Sequence, residues 1–111
     1  MKINRQNYND VTVIELQGNL DLDNIDQLQG VITEVIDEHK SGIVLDLSNV
    51  GFIDGKALET LLWTRDHCDQ NNCQLSLAGL DENCAKILEI TRLDDVFDRY
   101  AELAEAVKSF A

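Results

Sequence analysis

Two hydrophobic periods take turns along this chain. Val11, Val13, Ile14 and Leu16 read as a strand, and the more polar residues 3–6 as a shorter one, so Asn7-Tyr8-Asn9-Asp10 between them predicts a hairpin turn. A short polar first strand suits a sheet edge. The period then lengthens. Ile25, Leu28, Ile32, Val35 and Ile36 form an apolar stripe at helical spacing, which Asp23 or Asn24 can cap and which Lys40-Ser41-Gly42 ends. Ile43, Val44, Leu45 and Leu47 follow as an apolar run expected to be buried on both faces, as in parallel sheets.

The connection Asn49-Val50-Gly51-Phe52-Ile53-Asp54-Gly55 has glycines and an Asp for its turns, and Val50, Phe52 and Ile53 are expected to pin it to the core. Asp54 can cap the next helix, whose apolar stripe is predicted as Leu58, Leu61, Leu62 and Cys68, with Glu59, Arg65, Asp66 and Asp69 opposite. Asn71-Asn72 ends it. Residues 75–80 predict a strand, Asp81 a cap, residues 82–92 a helix with Ala85, Leu88 and Leu93 inside, Val96-Phe97 a brief strand, and residues 101–110 a last helix. Such alternation implies right-handed parallel crossovers. The expected fold is therefore α/β, a mixed sheet with an antiparallel edge hairpin and about four helices, in a single domain over residues 1–111. Loops at the carboxyl ends of its strands would bring Asp21 and Asp23 near Asn49, Asp54 and Lys56, which makes that rim the candidate site.

Charge narrows the partners. With 21 acidic and 9 basic residues the net charge is −12, which repels nucleic acid and anionic membranes and suits either solubility or a basic partner. Three cysteines without framework spacing point to a reducing compartment. The first residues lack the apolar core of a signal peptide, and no apolar run approaches membrane-spanning length, so a cytoplasmic location is expected.

Asp21, Asp23, Asp26 and Asp54 could form the acidic pocket of a phosphoryl-accepting receiver domain. That pocket wants adjacent acids and a later lysine, whereas here Leu22 separates the acids and no lysine follows the residue 75 strand, so capping and solvation explain them better. His67, Cys68, Cys73 and Cys84 lack paired short metal-ligand spacing, and no metal is expected. The serines and histidines 39 and 67 occur in no nucleophile motif, and no phosphate-binding glycine loop is present, so no enzyme and no cofactor are expected. Trp63, beside the helix stripe, is either a partner-facing anchor or a boundary core residue.

The run Asp46-Leu47-Ser48, Val50, Phe52-Ile53-Asp54 and Leu58, with Gly18-Asn19-Leu20-Asp21 before it and Ile90 to Phe97 after it, resembles the STAS family of bacterial anti-sigma factor antagonists and sulfate-transporter tails. The resemblance implies a non-catalytic protein-interaction domain in transcription regulation, whose partner is an anti-sigma factor or serine-kinase-like ATPase. It also implies a phosphorylated serine after Phe-Ile-Asp, where this chain has Gly55 and Lys56. Thr60, Thr64 and Ser48 are candidate alternative phosphorylation sites, and an accessory subunit of a membrane transport system is the alternative role. Asp21, Asp23, Ser48, Asn49, Asp54, Gly55 and Lys56 are the expected partner-binding residues.

Overall fold

The computed structural model describes residues 1–110, leaving Ala111 outside the described residues. Five strands pair in chain order, β1 (Lys2–Tyr8), β2 (Val11–Gln17), β3 (Gly42–Asn49), β4 (Gln74–Ala78) and β5 (Asp98–Tyr100). The β1–β2 pair is antiparallel and the rest are parallel, so the expected mixed sheet with an edge hairpin is present. The hairpin is tighter than the sequence suggested. Tyr8 already pairs with Val11, and only Asn9 and Asp10 make the turn, with Asn9 at φ 57 in the left-handed region that Asn tolerates.

Four helices connect and cover the sheet: α1 (Ile25–Asp37), α2 (Gly55–Gln70), α3 (Glu82–Ile90) and α4 (Leu103–Lys108). The first three share one core with the inward residues Ile14, Leu16, Ile43, Leu45, Leu47 and Leu77, all fully buried. The other face of the sheet presents smaller residues, Val11, Val13, Val44 and Ala78, and among the described residues α4 covers it, through Ala106. Close approach there depends on Gly42, because a Cβ at that position would collide with the Phe110 ring. Leu45 and Val44 thus bury opposite faces of β3, as the apolar run predicted.

Three local expectations need correction. The last strand is Asp98–Tyr100 rather than Val96-Phe97; Phe97 is buried in the larger core, and Ser76, Leu77 and Ala78 pair with the residues after it. The buried stripe of α2 is rotated toward Ala57, Thr60, Leu61, Thr64 and Cys68, with Leu58 and Leu62 only partly buried. Two threonines can face inward because each hydroxyl donates to a carbonyl one turn back, Thr60 to Lys56 at 3.0 Å and Thr64 to Thr60 at 2.8 Å. Phe52, expected in the core, is 49% exposed, while its neighbours Val50 and Ile53 are buried.

Candidate functional site

The rim is built where β2 and β3 end. Their register shifts between Glu15 and Gln17, just before the chain leaves the sheet. Backbone bonds then hold the two following loops together: Gly18 N–H donates to Asn49 O at 3.1 Å, Leu20 N–H to Phe52 O at 3.0 Å and Asp54 N–H to Leu20 O at 3.3 Å. Leu20 and Ile53 form a parallel bridge between the loops, and both side chains are buried. The rim is therefore an extension of the parallel sheet by two irregular segments.

Asp54 joins this extension to α2. One carboxylate oxygen accepts the Ala57 N–H at 2.8 Å, capping the helix, and the other accepts the Leu22 N–H at 3.2 Å from the opposite loop. Asp21 serves its own loop, its Oδ1 accepting the Asp23 N–H at 3.1 Å and the Asn24 side-chain amide at 3.2 Å. Neither expected cap of α1 acts as one. Asn24 holds the capping position but its amide turns back to Asn19 O at 2.8 Å, and Asp23 is exposed.

Around this frame the side chains divide by role. Gly55 and Lys56 open α2, both exposed, and Lys56 pairs with Glu59 at 3.0 Å. A groove of about 410 Å³ runs between α1 and α2, lined by Leu22, Ile25, Asp26, Gln29, Lys56, Glu59, Thr60 and Trp63. Trp63 packs against the core as a half-buried residue, its ring stacked on His67 at 5.0 Å between centroids. Leu22 is 64% exposed. Leu22 and Phe52 therefore project as large apolar side chains from the two bridged loops, and the sequence reading had assigned neither to the site. A period-2 reading of residues 50–54 does not reveal Phe52, because Phe52 and Ile53 are adjacent apolar residues of which only one can face inward.

Several candidates fall elsewhere. Ser48 lies at the end of β3, its hydroxyl donating to Asp46 Oδ1 at 2.7 Å and its Cβ close to the backbone of Gly79. Thr60 and Thr64 are 3% and 0% exposed, with their hydroxyls already bonded to carbonyls one turn back. Among the described residues, no three His, Cys, Asp or Glu side chains are placed to share a metal ion. The cysteines are free thiols, all buried. Burial, with the neighbouring Asp81 carboxylate, pushes the Cys84 thiol up to about 12, and that thiol donates to Val50 O at 3.4 Å. No helix of the described residues is long and apolar enough to cross a membrane.

Comparison with known proteins gives this geometry a family. A STAS-domain family model matches residues 2–106. A STAS-domain containing protein of Pseudomonas aeruginosa is 41% identical over 54 residues, 49% of this chain and 54% of that protein, so the alignment spans about half the length of that relative. The anti-sigma-B factor antagonist of Staphylococcus aureus is 26% identical over 83 residues, 75% of this chain and 77% of that protein. In fold, the crystal structure of an anti-sigma factor antagonist from Mycobacterium paratuberculosis superposes with a TM-score of 0.87 at 21% identity, over 97% of this chain and 92% of that one. With the family model covering nearly every residue from the first strand to the last helix, the chain belongs to the STAS domain family.

Proposed function

We propose that this chain is a non-catalytic interaction domain that docks on an anti-sigma or serine-kinase-like ATPase partner through the rim, without the usual serine phosphoswitch. The observation that carries the reading is the pair of exposed apolar side chains, Leu22 and Phe52, held on two cross-bonded loops beside the start of α2. Singly exposed apolar residues, such as Tyr8 and Ile90 here, are ordinary, but two held on cross-bonded loops within a polar rim make an apolar tip of the kind a partner surface uses. The likeness to the Staphylococcus aureus antagonist supports the partner class.

Asp21 and Asp54 hold the loops in shape, while Asp23, Asn49, Gly55 and Lys56 present exposed groups to the partner. No hydroxyl stands at Gly55 or Lys56, so no phosphate can add its roughly −1.5 to −2 charges there, and binding is constitutive unless Ser48 is modified. Lys56 sits where a cation opposes the helix dipole, and its role is to meet an acidic group on the partner.

The test begins with purification of the tagged chain from its own cells and identification of what co-elutes. A kinase-like ATPase or anti-sigma factor supports the reading, whereas a transporter ATPase with its permease would support the transport role instead. Calorimetric titration against that partner should then rank Lys56→Glu well below Lys56→Ser in affinity. Equal affinities across wild type and both variants would remove Lys56 from the interface. In Gly55→Ser the new side chain meets nothing within 4 Å, so the hydroxyl can be restored without strain; phosphorylation of that variant by the partner, with loss of the complex, would show that the docking mode is retained.

A further inference from the structure

The far end of α2 carries a second chemical feature. The helix closes with Asn72 in the left-handed region at φ 56, and the Cys73 N–H donates across it to Cys68 O at 2.9 Å. This six-residue closure is a Schellman motif, in which the residues at the two ends of that bond are brought side by side. In most proteins two apolar side chains meet there. Here both are cysteines, both buried and both free thiols.

We propose that Cys68 and Cys73 form a reversible, peroxide-responsive disulfide that staples the end of α2 to the start of β4. The backbone bond between the same two residues brings them side by side at the helix end, the proximity that a disulfide needs. Cys73 is the attacking group. It is 4% exposed, stands between exposed Asn72 and Gln74, and the hydrogen bond from Cys68 lowers its thiol from the ordinary value. Cys68 is fully buried, and its bond to Cys73, with burial, holds it protonated. Access needs only the last turn to open, since two N–H groups, of Asn71 and Cys73, converge on the single Cys68 carbonyl that closes it.

The Cys73 thiolate attacks hydrogen peroxide, forming an S–O bond and breaking O–O, and the leaving hydroxide takes a proton to become water. The Cys68 sulfur then attacks the Cys73 sulfenic acid. An S–S bond forms, the S–O bond breaks, and the departing hydroxide leaves as water with the Cys68 proton. Two thiols and one peroxide give one disulfide and two waters, and a dithiol reverses the step. Cys84 cannot take part in an intramolecular pair of this kind, because its thiol is engaged by Val50 O beneath α3.

The experiment treats the native full chain with graded hydrogen peroxide, alkylates the remaining thiols in denaturant, and reads intact mass and peptide maps. The expected product is lighter by two hydrogens, cross-linked between Cys68 and Cys73, alkylated only at Cys84, restored by dithiothreitol, and higher in Tm than the reduced chain. Cys84→Ala should form the same bridge, and Cys68→Ala should accumulate a dimedone-trappable sulfenic acid at Cys73. Oxidation only at Cys84, intermolecular bridges alone, or sulfinic acid at Cys73 with Cys68 still free would each overturn the proposal.

Discussion

Two strand-to-helix junctions in this protein share one device and differ in everything built on it. After β3 and after β4 an Asp caps the next helix with the same geometry, Asp54 to the Ala57 N–H and Asp81 to the Cys84 N–H, each at 2.8 Å. The β4 junction is short: Gly79 N–H donates to Tyr100 O at 3.1 Å, and Leu80 and Asp81 pass directly into α3. At the β3 junction the loop is longer, bonds to the neighbouring loop through Leu20 and Phe52, and uses the second oxygen of its Asp to hold Leu22. Capping alone starts a helix. The added cross-bonds tie the cap of α2 to the neighbouring loop and hold the segments that carry Leu22 and Phe52, so the difference separates a plain cap from one built into the proposed docking rim.

The frame beneath both junctions is the first thing to break. Leu45 is fully buried in β3, and Leu45→Asp should cost about 4 kcal/mol or more and remove both junctions together. A small change in the urea midpoint would contradict the burial of β3. Next comes the contrast itself. Asp81→Ala removes a cap and should cost about 1 kcal/mol, whereas Asp54→Ala also releases Leu22 and should cost about 2 kcal/mol. Equal losses, at unchanged denaturant slope, would mean that the bond to Leu22 contributes nothing.

The junctions touch through Cys84, which gives a pH test. Its folded value is raised from 9.0 to about 12, so the folded chain keeps the proton that the unfolded chain releases. The stability tied to this thiol is complete below about pH 9 and is lost as pH climbs toward 12. The advantage of wild type over Cys84→Ala should therefore shrink across that window, and an advantage that grew would reverse the sign. The smallest stability effect belongs to the exposed tip: Leu22→Asp and Phe52→Asp should each stay within about 0.5 kcal/mol of wild type while weakening the partner complex at least tenfold. Large destabilisation in either would return that residue to the fold.

What the sequence revealed follows the same division. The element order and the central strand were legible because Ile14 to Leu16, Ile25 to Ile36 and Ile43 to Leu47 have one dominant period each. The pairing of the loops that carry Asp21 and Asp54, seen in the Leu22 N–H bond to Asp54, followed from topology. Less legible were residues whose orientation depends on partners far along the chain. Thr60 and Thr64 look solvent-facing by polarity, but local carbonyls satisfy their hydroxyls and admit them to the interior. Leu22 and Phe52 look like core residues by polarity, but the bridge between Leu20 and Ile53 turns Ile53 inward and its neighbour Phe52 out, and Leu22 lies in the turn that follows the bridge. Composition cannot encode that choice. The β5 boundary was missed because a three-residue strand is too short to show a period.

Strand order has a consequence for synthesis. Because β1 to β5 lie side by side in the order in which they are made, each new strand meets an edge already formed by its predecessor, and the sheet can grow vectorially as the chain leaves the ribosome. No strand has to wait for a later one to be inserted between it and its neighbour. The exception is the reverse side of the sheet, where Gly42, Val44 and Ala78 stay open until α4 arrives and Phe110 reaches Gly42. During translation that side is a temporary apolar surface, and it closes only once α4 has emerged.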